Sequence, residues 1–298
     1  FYIAPSFIYW QPLEQGLDLG YRDNATDYDA SDTVIRMNQK FKPGFKINAG
    51  MSFDHDNWVM FLDYLWFHNT HSKSESIPDA TNYSITSYWS SFLFNTLAIK
   101  AKWDLDFDKI DFAFRRAFYV GTNLVFDPML GIRAMWIDQQ FRLTESESLG
   151  SWFEDNRHAI AKSDSWFIGP VCGVNANWMF GSGFFFYGNA QGGLGYQDFK
   201  ITYKEKDETS WGRYKQNSVW KKSQLTPFVE TNLGLGWGAY CCAKRIHFDF
   251  RASYDFNFYI NQNYLNDAAS ADMLFGSYKD SGGDLSMHGL TIRAKLDF

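Results

Sequence analysis

The feature that most constrains this chain is an alternation of apolar and polar side chains sustained far longer than a globular strand needs. From Ile246 to Ile260, the residues Ile246, Phe248, Phe250, Ala252, Tyr254, Phe256, Phe258 and Ile260 share one face, and His247, Asp249, Arg251, Ser253, Asp255, Asn257 and Tyr259 share the other. A period of two marks a strand with two different faces. In the segment before it, Val229, Thr231, Leu233, Leu235, Trp237 and Ala239 alternate with Glu230, Asn232, Gly234, Gly236 and Gly238. Such strands exceed the usual globular length of roughly five or six residues, and so long an apolar face asks for lipid. No segment offers the roughly 20 apolar residues of a membrane-spanning helix. Aromatic residues nevertheless make up 19 % of the chain beside 21 % charged residues, as expected of strands that meet lipid on one side only. The reading is all-β: a single domain over residues 1–298, folded as a transmembrane antiparallel up-and-down β-barrel.

About ten strands can be drawn, near residues 1–11, 42–54, 57–69, 98–119, 124–143, 164–181, 184–204, 223–241, 246–264 and 285–298. The connections DHDN (54–57), GTN (121–123), GSG (181–183) and AKR (243–245) are tight, as hairpin turns require. The other five are long and polar, with runs such as NTHSKSESIPDATNY and KEKDETSWGRYKQNS. Short turns are expected on the periplasmic side and long loops on the extracellular side, which puts both termini at the periplasmic rim. An even, closed set leaves no unpaired edge. Residues 72–97 are the widest gap, and SITSYWSSFLFNTLAI within it could add a helix or two more strands, giving twelve. Phe53, Trp58, Trp178, Phe180, Phe184, Trp237 and Phe248 flank the short turns, where amphipathic rings would form a girdle at the headgroups. Trp66, Trp103, Trp136 and Trp166 would supply the opposite belt.

The last strand places Leu290, Ile292, Ala294, Leu296 and Phe298 on one face and stops there. A terminal Phe behind such an alternation resembles the signal read by the barrel assembly machinery. The chain opens directly on FYIAPSFIYW, already a strand, and is read as a mature or trimmed form. A net charge of −6 without a dense Lys/Arg stretch disfavours nucleic acid. The expected surroundings are outer-membrane lipid and lipopolysaccharide. Cys172, Cys241 and Cys242 are an odd set. They are either three unreactive thiols or the source of an intermolecular disulfide through the adjacent Cys241–Cys242 pair, joining neighbours or a homo-oligomer.

Several segments carry a family resemblance. IYWQPLEQGLD, PGFKINAGMSFDHDNWVMFLDYLWF, WDLDFDKIDFAFRRAFYV, FDPMLGIRAMWIDQQF and SWFIGPVCGVNANWMFGSGFFFYGNAQGGLGY span most of the chain in order. They hold a GxRxxWIxQ element at Gly131, Arg133, Trp136, Ile137 and Gln139, and a GPxxG element at Gly169, Pro170 and Gly173. Together they resemble the Legionella-type major outer membrane protein family, whose relatives include the chlamydia-like porins. The resemblance implies an envelope barrel with pore-forming activity, sometimes disulfide-linked and exposed at the cell surface. It implies no catalytic residue.

By alternation the lumen is lined with Lys42, Lys46, Lys100, Lys102, Arg115, Arg133, Arg251, Arg293 and Lys295, and with Asp63, Asp104, Asp106, Asp108, Asp111, Asp127, Glu230, Asp249, Asp255 and Asp297. The balance of signs suits ion pairs bridging the wall, or a constriction with weak ion selectivity. About eight strands leave room for little beyond their own side chains, while 16–18 hold an aqueous channel. Inward glycines such as Gly195 and Gly236 are expected to widen the lumen locally. The expectation is a porin-like protein with a narrow, charged pore for passive diffusion of ions or small solutes. Asp104, Asp106 and Asp108 form its densest inward charge, and the slip in alternation at Asp108–Lys109 reads as a β-bulge.

The competing reading is a closed, adhesin-like barrel that displays its loops to a host or to neighbouring cells. An enzyme is not expected. His68, His71 and His158 lack a carboxylate or Ser at diagnostic spacing. His and Cys never cluster as metal ligands, no glycine motif cradles a phosphate, and no cofactor is implied.

Overall fold

The alternation resolves into one continuous wall. The computed structural model describes residues 1–24, 33–53, 56–77, 83–89, 96–148, 154–209, 212–241, 246–266 and 282–298. In chain order the strands are β1 (Tyr2–Glu14), β2 (Gly20–Asn24), β3 (Thr33–Ile35), β4 (Lys42–Ser52), β5 (Trp58–Ser76), β6 (Tyr83–Ser87), β7 (Thr96–Arg116), β8 (Phe118–Val120), β9 (Leu124–Ser148), β10 (Glu154–Gly181), β11 (Phe184–Thr209), β12 (Gly212–Cys241), β13 (Ile246–Asn263) and β14 (Gly283–Asp297). Ten of them, β1, β4, β5, β7 and β9 to β14, pair antiparallel in that order, and β14 returns to β1. These are the ten strands drawn from the sequence. β6 pairs with β2 outside the wall, so the twelve-strand alternative does not hold. The seam runs from Tyr2 opposite Asp297 to Glu14 opposite Leu285. At its rim the Phe298 N–H donates to the Phe1 carbonyl at 2.9 Å. Two short turns depend on left-handed residues, Asp56 and Asn57 at φ 62° and 55°, and Ser182 at φ 54° between two positive-φ glycines.

The wall carries a belt of outward apolar residues suited to lipid. On β9 it comprises Leu130, Ile132 and Trp136, on β10 Trp166, Ile168, Val174 and Trp178, and on β12 Leu225, Val229, Leu233, Leu235 and Trp237. Its short-turn edge holds Trp58, Trp178, Phe180, Phe184 and Trp237, all exposed, with Phe248 half-buried. Its other edge is marked by Trp66, Trp136, Trp166 and Tyr196. Trp103 departs from the expected girdle, being fully buried inside the barrel.

Beyond that edge the strands continue. On β11 the outward residues become Asp198, Lys200, Thr202 and Lys204, while Phe199, Ile201, Tyr203 and Glu205 point inward and are buried. Much of the run KEKDETSWGRYKQNS, expected as a loop, is therefore strand, with Thr209 facing Gly212 across β11 and β12. The period of two persists there, but the apolar face has moved inside. One cluster of buried apolar side chains fills this tall part, from Phe67, Phe107 and Phe167 up to Trp89, Phe141 and Tyr203.

Candidate functional site: the charged interior

From the short-turn rim the interior opens as a cavity of about 760 Å³, lined among others by Tyr2, Arg115, Asp127, Phe185, Arg251 and Lys295. Deeper in, a polar chamber of about 130 Å³ shares Arg115 and Arg251 and adds Lys46, Asp63, Asp255 and Arg293. A crossbar of charge ends it. Lys109 Nζ on β7 donates to both Glu230 oxygens on β12, at 2.8 and 3.1 Å. Arg133 on β9 forks onto Asp111 at 2.6 and 2.7 Å and onto Glu230 at 2.6 and 3.1 Å. The Tyr259 hydroxyl and the Gln191 amide also donate to Glu230. β7 and β12 are four steps apart around the ring, so these bonds cross the lumen rather than follow the wall. Two cations meet two anions with nearly every donor used, the condition under which a buried ionic group offsets its desolvation.

Aromatic side chains close the next level. Phe107 lies 5.2 Å from Tyr259 and Phe167 5.7 Å from Phe228, ring to ring, and the Arg133 guanidinium sits 4.1 Å over Phe228. The inward glycines do not widen the lumen as expected. A Cβ at Gly195 would come within 2.3 Å of the Phe167 ring, and one at Gly236 within 2.2 Å of Phe185. Their missing side chains let rings lie against the wall and fill it.

A second buried ionic group sits in the tall part. Arg157 donates to Glu205 at 2.6 Å and to Glu145 at 3.3 Å, and Tyr203 donates to Glu205 at 2.9 Å. Burial pushes the Glu145 carboxyl above the usual range although Arg157 draws it down. Nearby, burial and the Lys42 charge push His71 down to about 4. The neutral ring accepts the Lys40 N–H at Nδ1 (3.1 Å) and lies 2.7 Å from Asn69 Oδ1 through Nε2.

Of the charges assigned to the lumen, Lys46, Asp63, Arg115, Asp127, Arg133, Glu230, Asp249, Arg251, Asp255, Arg293 and Lys295 point inward. Lys100, Lys102, Asp104, Asp106 and Asp108 do not. They lie on the outer face of β7, because Trp103, Leu105, Phe107, Lys109 and Asp111 take the inward positions. The register with β5 and β9 runs unbroken through Asp108–Lys109, so no bulge is present there. The outward carboxylates brace neighbouring strands. Asp104 meets Lys102 at 3.2 Å and Arg142 at 3.1 Å, and Asp108 meets His68 at 2.5 Å and the Tyr64 hydroxyl at 2.7 Å. His68 thus has carboxylate partners that no sequence spacing revealed. On β14, Leu290, Ile292, Ala294 and Leu296 alternate with the inward Thr291, Arg293 and Lys295. Cys172 and Cys241 are exposed free thiols, and Cys242 lies outside the described residues. No group of His, Cys, Asp and Glu fit to hold a metal occurs among the described residues.

The family model described as the Legionella pneumophila major outer membrane protein precursor matches residues 1–298, the whole chain. The chain belongs to that family. No curated protein matches it. Among solved structures it is similar to the outer membrane protease OmpT of Escherichia coli, at 13 % identity over 99 % of this chain and 95 % of that one, TM-score 0.43. It is also similar to Ail, the attachment invasion locus protein of Yersinia pestis, at 10 % identity over 99 % and 97 % of the two chains, TM-score 0.23. A Pseudomonas aeruginosa FadL homologue shares 7 % identity over 99 % and 89 %, TM-score 0.28. Membership of the major outer membrane protein family places the chain in the bacterial outer membrane, and the apolar belt is then its lipid-facing surface.

Proposed function

We propose that this protein is a closed-lumen barrel of the outer membrane whose working part is the strand-built platform raised beyond the lipid, facing the cell exterior. The observation that carries this is the crossbar of Lys109, Asp111, Arg133 and Glu230, roofed by Phe107, Phe167, Phe228 and Tyr259. A solute would have to displace a buried ionic network and then an apolar core. The outward alternation of β14, ending beside Phe1 at Phe298, fits recognition by the barrel assembly machinery. No residue is given a catalytic role. The His68–Asp108 pair stacks on Trp66 and accepts from the Tyr64 hydroxyl, a bracing arrangement on the outer face of the wall.

The expected narrow pore keeps one observation in its favour, the two cavities that run from the short-turn rim to the crossbar. Planar-bilayer recording of the purified protein separates the two readings. A closed lumen gives no discrete conductance steps. Regular steps in the wild-type protein would sink the closed reading and return the charged interior to solute passage.

A further inference from the structure

The chamber below the crossbar contains more cation than its carboxylates pair. Lys46 Nζ reaches Asp255 at 3.2 Å, and Arg251 forks onto Asp249 at 2.8 and 2.9 Å. Lys109 and Arg133 are held by Asp111 and Glu230. Arg293 and Arg115 remain, and among the described residues neither has a carboxylate at ion-pair distance. Arg293 Nη2 reaches only Asn48 Oδ1, at 3.4 Å, and its Nε is buried with no acceptor. Arg115 Nη2 lies 3.4 Å from the Tyr2 hydroxyl, its guanidinium 5.5 Å from the Tyr2 and Phe61 rings. Two further carboxylates face these cations without an ion pair among the described residues: Asp63, which accepts from Asn48 at 3.2 Å, and Asp127 in the adjoining cavity, which accepts from Asn177 at 3.4 Å.

Register sharpens the imbalance. Arg293 on β14 stands directly opposite Arg251 on β13, and like charges in that position repel. An unpaired cation within the membrane span is costly, and a buried donor without an acceptor adds to that cost. A small oxyanion would supply the missing acceptors, because a guanidinium fork matches two oxygens of a phosphate or carboxylate. The chamber, about 130 Å³, has room for one such ion beside Arg293 and Arg115. Entry is from the short-turn rim, whose larger cavity shares Arg115 and Arg251, since the crossbar closes the other end.

We propose that this chamber is a binding site for a small oxyanion, inorganic phosphate or a short carboxylate, held by Arg293 and Arg115 and reached from the short-turn rim. The inference rests on the chamber alone, so its failure leaves the closed-lumen reading standing. The test is calorimetric titration of the refolded protein in detergent with phosphate, and separately with acetate, at constant ionic strength. Folding is checked by heat-shifted electrophoretic mobility. Wild type should give saturable heat with at least one ion, and the tighter arm identifies the ligand class. Arg293→Met should weaken binding about ten- to hundred-fold, the value of hydrogen bonds to a charged group. Arg115→Gln gives an independent reading if Arg293→Met does not fold. The outward variant Lys200→Gln should bind as wild type does. No saturable heat with either ion, unchanged affinity in both folded arginine variants, or loss in Lys200→Gln would each overturn the proposal.

Discussion

Glu230 accepts hydrogen bonds from four side chains on four different strands: Lys109, Arg133, Gln191 and Tyr259. Replacing it with Ala leaves Lys109 and Arg133 to share Asp111, two buried cations on one anion. Glu230→Ala should therefore destabilise the barrel by about 3–5 kcal/mol, the usual cost of removing one partner from a buried ionic group. Urea unfolding followed by tryptophan fluorescence in lipid vesicles measures it, and a loss below about 1 kcal/mol would remove Glu230 from any bracing role. The sequence marked Glu230 and Arg133 as inward charges. That they meet across the lumen depends on register and ring closure, which one strand's alternation does not contain. His71 gives a pH-dependent case. Its pKa is lowered in the fold from 6.5 to about 4, chiefly by burial. A depressed pKa contributes stability that is complete above the unfolded value and is lost as pH falls from 6.5 toward 4. His71→Gln should flatten that limb of the stability curve, and unfolding midpoints at pH 7.5 and 4.5 in both proteins test it. Equal slopes would show that His71 does not carry the dependence.

β7 shows what an element's alternation encodes and where it misleads. On its outer face Ile110, Phe112 and Phe114 meet the belt, while Lys100, Lys102, Asp104, Asp106 and Asp108 stand beyond it. The inner face does the opposite, with Trp103, Leu105 and Phe107 above and Lys109 and Asp111 below. Reading every polar residue as inward holds only while lipid lies outside. The change of phase at Asp108–Lys109 is the height at which the surroundings turn from lipid to water, not an inserted residue. The same reversal hid the outer ends of β10 before residue 164, of β11 after residue 204 and of β12 before residue 223, whose charged outer faces read as loops, and it hid the apolar plug. Two substitutions on one face of β7 test the assignment. Phe112→Arg should cost about 2–4 kcal/mol, as a cation near the bilayer midplane does. Asp106→Arg should stay within about 0.5 kcal/mol, as surface changes usually do. Similar costs at both positions would mean that the belt is misplaced.

At the scale of the whole molecule, the closed-lumen reading we propose makes the side chains inside the ten-stranded wall a plug. It has two layers of different chemistry. The lower is the ionic crossbar, which a variant can dissolve. The upper is the aromatic packing of Phe107, Tyr259, Phe167 and Phe228, continuous with the buried cluster that runs up to Trp89 and Phe141. If closure belonged to the crossbar alone, the barrel would be a gated pore and its charges the gate. If closure belongs to the plug as a whole, removing the charges enlarges the chamber below and leaves the roof intact. We expect the second, because the upper cluster continues through Phe167, Trp89 and Phe141, beyond Tyr259, whose hydroxyl ties the roof to Glu230. The combined variant Lys109→Ala, Arg133→Ala and Glu230→Ala should therefore remain without discrete conductance in planar bilayers while still showing heat-shifted mobility. Steps appearing in that variant but not in wild type would make the crossbar a gate and the protein a channel held shut by four charged side chains.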